Sequence, residues 1–305
     1  MAVNLARSFI WWHPDSDIAF FIATDQQKYI PDDIEPKIKV INLTPGEYGN
    51  GFTPKLNLDK LAPSGKTLFI DSDCLIFADL SPVFEKFNGH SVSVIGGYIS
   101  SGDWFGDIAA ICKKFKVNHL PKFNGGVYYI NNDNKAKQVY ETARELEKQY
   151  DDIGFTRFRN HPADEMLMAL AMQLNGQTPI IDDGTIMSDM QACAGKYSVN
   201  TITGERELTN PPPPSPLHSN WYPFQKVSPI VVHFLGHHTQ HYPYKKEAYR
   251  LKMALNKRLN LITEAWALFA LQYPQQIKIL TKKLFRPIYH RLFGLRKIQP
   301  SERIA

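Results

Sequence analysis

Two aspartates one residue apart, Asp71 and Asp73, interrupt the otherwise apolar run TLFIDSDCLIF at 67–77. On an extended backbone residues i and i+2 face the same way, so the two carboxylates would share one side while Ser72 faces the other. Carboxylates that close repel each other, and a bound cation, a raised pKa or exposure to water relieves the repulsion. A strand ending in a solvated turn accounts for the pair; so does a divalent-cation site. Further along, His233 follows two valines in VVHFLGHH, and Asn124, Gly125 and Gly126 precede VYYI. A histidine after such a strand is either a satisfied core residue or a ligand. A Gly-Gly pair is either a turn or a place where backbone approaches a bound molecule.

The elements that must position these residues alternate helix with strand. NLARSFIWW (4–12) has a wide apolar helical face and ends at the breaker pair His13-Pro14. DIAFFIATD, KIKVINLTP, KTLFID, SVSVIGGYI, GGVYYINN and SPIVVHFLG have the apolar content of buried strands. LNLDKLAP, DWFGDIAAICKKFK, 135–150 and ADEMLMALAMQLNG predict helices, with Gly176 as a C-terminal stop for the last. This order predicts an α/β fold, with a mostly parallel, Rossmann-like sheet flanked by helices. The chain opens on a helix where doubly wound folds open on a strand, so the first strand is expected to be missing.

A chain of 305 residues accommodates one large α/β domain with an appendage. Its formal charge of +5 is modest, and charge alone gives no indication of nucleic-acid binding. Cys74, Cys112 and Cys193 are odd in number and lack short paired spacing, which argues against a disulfide framework and for a reducing, cytoplasmic compartment. No signal-peptide pattern opens the sequence, and the apolar segment 261–273 is too short to span a bilayer.

Three segments in order, KTLFIDSDCLIFADLSPVF, FNGGVYYINND and VVHFLGHH, resemble the Asp-x-Asp, Phe-Asn-x-Gly-Val and His-Phe-x-Gly motifs of GT-A glycosyltransferases. The resemblance is to family eight, the group of glycogenin and the lipopolysaccharide galactosyltransferases, and covers roughly residues 4–245. It implies a transferase domain over 1–245 and a helical, basic C-terminal extension over 246–305. It implies metal ligation by Asp71, Asp73 and His233, an O/N donor set suited to Mn²⁺ or, less well, Mg²⁺. Donor contacts would fall on Lys55, Asp71, Ser72, Asp73, Asn124, Gly125, Gly126, Gly236 and His238. Asp164 and Glu165 would be the catalytic carboxylates beside the transferred sugar, with a register ambiguous by one residue. The implied reaction passes a hexosyl unit from a UDP-linked nucleotide sugar to the hydroxyl of a glycan or lipid-linked acceptor, with retention.

Each assignment has a plainer alternative. Lys55 could be a solvated surface lysine; Asp164 and Glu165 could serve the dipole of a helix start. The family's diphosphate-clamping lysine is replaced here by Thr239, which leaves His237, His238, Lys245 or Lys246 to contact phosphate. Two other functions stand beside the transferase: an inactive, transferase-like partner protein, and a zinc hydrolase built on His233, His237, His238 and His241. From 275 onward the chain mixes Leu, Ile and Phe with Lys and Arg and has almost no acid, the composition of a peripheral membrane contact or of a solvated basic tail.

Overall fold

The computed structural model describes residues 1–26 and 29–294; the end of the basic tail, 295–305, lies outside the described residues. In chain order the strands are β1 (Phe21–Thr24), β2 (Lys39–Asn42), β3 (Lys66–Ile70), β4 (Cys74–Ile76), β5 (Val92–Ile99), β6 (Leu120–Asn131), β7 (Ile180–Ile181), β8 (Met187–Asp189), β9 (Tyr197–Asn200), β10 (Glu205–Thr209), β11 (Lys226–Val227) and β12 (Val231–His233). The helices are α1 (Ala2–Trp12), α2 (Leu58–Leu61), α3 (Ser81–Lys86), α4 (Ile108–Phe115), α5 (Asn134–Glu147), α6 (Tyr150–Ile153), α7 (Asp164–Leu174), α8 (Tyr242–Leu255), α9 (Leu261–Trp266) and α10 (Tyr273–Phe293).

The α/β class and its flanking helices are as expected, and the ladders are mixed. β1–β2, β5–β7 and β8–β12 pair in parallel. Between them, β6 is antiparallel to both β3 and β5, giving the order β3-β6-β5-β7, and β12 is antiparallel to β4, giving β4-β12-β8. β6 alternates as a buried strand must: Tyr128 and Ile130 enter one core, Val127 and Tyr129 the other. The first core lies under α5 and α7. The face of α5 formed by Ala136, Val139, Tyr140, Ala143 and Leu146 is buried there, and Asp133 caps its start through the Ala136 amide at 2.8 Å. α7 is apolar nearly all round, and its segment from Met166 to Met172 is wholly buried.

The two central sheets meet where β3 ends and β4 begins. Residues 71–74 form a turn closed by the Cys74 amide on the Asp71 carbonyl at 3.0 Å. The Asp71 amide donates to Gly126 on one side, and Asp73 accepts from the Phe234 amide on the other. Of the two readings of the pair, an extended strand and a strand ending in a turn, the second holds: the chain bends between Asp71 and Asp73 and passes from one sheet to the next.

α8 runs through the expected 245–246 boundary and packs on α1; its Glu247 is fully buried, accepts from the Thr201 amide at 2.7 Å and pairs with Arg250. No helix among the described residues is long and apolar enough to cross a membrane.

Candidate active site

The turn between the sheets places the aspartates against the end of β12. His233 Nε2 lies 2.9 Å from Asp73 Oδ1 and 3.9 Å from Asp71 Oδ2, and the ring is buried. Of the expected ligand triad, Asp73 contacts the imidazole nitrogen directly and Asp71 stands farther off. Asp73, Cys74 and His233 have potential ligand atoms all within 4.8 Å of one another. Asp71 is not in that set; its Oδ2 pairs with Lys55 Nζ at 2.8 Å. Two carboxylates and an imidazole suit a divalent cation of the Mn²⁺ or Mg²⁺ kind, while burial and the neighbouring aspartates push the adjoining Cys74 thiol well up and hold it protonated, a poor ligand.

The other imidazole nitrogen is fixed. Asn124 Oδ1 lies 3.1 Å from His233 Nδ1, and the Asn124 amide group donates to Asp189 Oδ2 at 3.0 Å. Such a partner sets the tautomer and aim of a ligating histidine. Asn124, which the resemblance places at the donor, is bonded here to His233. Asp189, which sequence reasoning missed, sits opposite His233 on β8, and Cys74 sits opposite it on β4. Its Oδ1 is taken by the Gln191 and Ala192 amides, an Asx turn that the sequence MSDMQA could have signalled.

Burial raises Asp71, and Asp164 adds to this, while Lys55 and His233 oppose it. For Asp73, burial is outweighed by the hydrogen bond and charge of His233, so its carboxyl falls below its ordinary value. Burial also disfavours the His233 imidazolium, but Asp73, Asp71 and Asp189 more than offset it, and the pKa rises. Burial likewise opposes the Lys55 ammonium; Asp164, Asp71 and Glu165 hold it firmly protonated.

Lys55 is therefore no solvated surface lysine. From the 3₁₀ turn Thr53–Asn57 it reaches Asp71, the Gly125 carbonyl at 2.8 Å and Asp164 at 3.6 Å. Asp164 accepts from the Tyr128 hydroxyl at 2.7 Å, and Glu165 accepts from the Gly125 amide at 2.8 Å. Although both acids open α7, these two bonds run to β6. Tyr128 is a second residue that sequence reasoning missed; it reads as an ordinary core tyrosine.

Space is too short for a side chain at 126 and tight at 125. A Cβ at Gly126 would come within 2.5 Å of His233 Nδ1, and one at Gly125 within 3.0 Å of Asp164 Oδ2. Ser72 is exposed at the tip of the turn. Gly236 and His238 lie on the 3₁₀ turn Gly236–Gln240 that follows β12. Burial, with His237 and His241 nearby, lowers His238 to about 4, so its ring is neutral at neutral pH. Thr239 is buried and donates to the Gly236 carbonyl at 2.8 Å. Although the rings of His237, His238 and His241 neighbour one another, the set with metal-ligand proximity among the described residues is the one at Asp73. An open cavity at the start of α1, lined by Met1, Ile22, Thr24 and Tyr29 among others, contains none of the expected site residues.

Among solved structures, the chain is similar to galactosyltransferase LgtC in complex with donor and acceptor sugar analogs: 18% identity, TM-score 0.51, covering 87% of this chain and 95% of that one. An active-site mutant of LgtC matches over the same shares at 16% identity and TM-score 0.48. The glycosyltransferase GlyE of Streptococcus pneumoniae TIGR4 matches at 16% identity and TM-score 0.40, over 63% of this chain and 44% of that one. No protein-family model and no curated protein matches. The likeness to the LgtC complex establishes a GT-A fold and leaves activity to the site.

Proposed function

We propose that the protein is a metal-dependent, retaining glycosyltransferase that moves a hexosyl unit from a UDP-linked nucleotide sugar to a hydroxyl of a glycan or lipid-linked saccharide. The observation that carries this reading is the convergence of Asp73 and Asp71 on His233 Nε2, at 2.9 and 3.9 Å, on a GT-A fold. Asp71, Asp73 and His233 would hold Mn²⁺ or Mg²⁺, whose role is to accept the diphosphate oxygens and the charge that grows on them as the sugar bond breaks. Asn124 keeps His233 Nε2 aimed at the cation. Lys55 supplies fixed positive charge beside Asp71 and Asp164. The carboxylates of Asp164 and Glu165 lie beside the glycine loop of β6 and would steady an oxocarbenium-like centre. Three free, buried cysteines suit a reducing, cytoplasmic setting.

The non-catalytic reading has one observation in its favour: at the place of the family's phosphate-clamping lysine stands Thr239, buried and bonded to Gly236. Calorimetry with UDP and Mn²⁺, followed by a donor-hydrolysis screen over UDP-glucose, UDP-galactose and their N-acetyl forms, separates the two. The transferase reading expects Mn²⁺-dependent UDP binding that Asp73→Asn and His233→Ala both abolish. No binding by the unaltered chain would leave it a partner protein.

A further inference from the structure

The side chain that fixes His233 is itself fixed from both ends. The Gly126 amide, which can only donate, points at Asn124 Oδ1 at 2.9 Å. Asn124 Nδ2 faces Asp189 Oδ2 at 3.0 Å, and a carboxylate can only accept. Both neighbours therefore impose one orientation on the Asn124 amide group, with its oxygen toward His233 Nδ1 at 3.1 Å. Facing that oxygen, Nδ1 has to carry a hydrogen, and in the neutral ring Nε2 keeps the lone pair.

Asp189 anchors this order to the backbone. It lies on β8 in register with His233 on β12 and is 4% exposed. Its Oδ1 accepts from the Gln191 and Ala192 amides at 2.7 and 2.6 Å, which leaves Oδ2 for Asn124. The line of bonds thus starts at the 191 and 192 amides and is checked at the Gly126 amide, and none of these main-chain donors can reverse its polarity.

We propose that Asp189 is a positioning residue that selects the tautomer of His233 from two side chains away, leaving Nε2 bare on the side of Asp71 and Asp73. The use of that tautomer in holding a cation rests on the transferase reading; the order of the hydrogen bonds does not. What the relay needs at 189 is an acceptor toward Asn124. Asp189→Asn keeps the Asx turn, since its oxygen serves the 191 and 192 amides, but turns an NH₂ group onto the NH₂ group of Asn124. Making Asn124→Asp at the same time restores every donor–acceptor pair.

The test combines Mn²⁺ affinity by electron paramagnetic resonance with nitrogen NMR of the isotope-labelled His233 ring. Asp189→Asn should weaken Mn²⁺ binding by about 10- to 100-fold. The exchanged pair, Asn124→Asp with Asp189→Asn, should recover most of the loss, which a residue needed only for its turn would not require. Asn124→Asp alone sets two carboxylates face to face and should also weaken binding, whereas negative charge acting directly on the cation would tighten it. The ring is read without any cation in an Asp73→Ala chain, which removes the competing acceptor at Nε2. In alkaline buffer Nδ1 should carry the hydrogen there, lose it to Nε2 when Asp189→Asn is added, and regain it in the exchanged pair. No Mn²⁺ binding by the unaltered chain would count against the metal-dependent reading, and the ring measurement would still decide the relay. Full Mn²⁺ binding by Asp189→Asn, an exchanged pair no better than Asp189→Asn alone, or a hydrogen on Nε2 in the Asp73→Ala chain would overturn the proposal.

Discussion

Under the proposed metal-dependent reading, His233 has two jobs that pull on its proton in opposite directions. Its carboxylate neighbours raise its pKa, yet Nε2 must be bare to ligate a cation. Below the raised folded pKa, Mn²⁺ affinity should therefore fall by about tenfold per pH unit, and level off above it. In the absence of a cation the sign for stability is opposite. The imidazolium–carboxylate pair stabilises the fold fully below the ordinary histidine value, and that contribution is lost as pH rises through the folded pKa. Mn²⁺ affinity by electron paramagnetic resonance across this range would check the first statement; a flat profile would contradict it.

At the scale of elements, β6 and β12 approach so closely that a side chain is excluded between them. Gly126→Ala should push the His233 ring off its Asn124 partner and reduce Mn²⁺ affinity by about 10- to 100-fold, with the circular dichroism unchanged. Gly97→Ala, where a Cβ meets nothing within 4 Å, is the silent control. Unaltered affinity in the first variant would refute the packing argument. The sequence made β6, α5 and α7 legible because their burial is one-sided or complete, and apolar spacing records burial directly. A strand ending in a turn at the aspartates was legible, but the passage there into a second sheet was not, because β4 has only three residues. The sequence concealed Asp189 as well: β8 has only three residues, and the contact with Asn124 joins positions 65 apart. The motif resemblance supplied His233, which periodicity alone reads as core.

Across the whole molecule, α8 ties the body to the C-terminal helices through buried charge. Glu247 is fully buried, accepts from the Thr201 amide and hydroxyl, and faces Arg250, which in turn holds Glu264 of α9. Glu247→Ala leaves a guanidinium and an amide in the interior short of a partner and should destabilise the chain by about 3–5 kcal/mol. Urea unfolding measures it, and a loss of the size seen for ordinary surface substitutions would show that water or Asn200 takes over. The bend at 71–74 bears on the molecule as a whole. Asp71 hangs from one sheet and His233 from another, so the distance between them gauges how the two slabs are tilted. A distant change that shears one slab by a fraction of an ångström would loosen the grip on a cation while leaving every ligand in place.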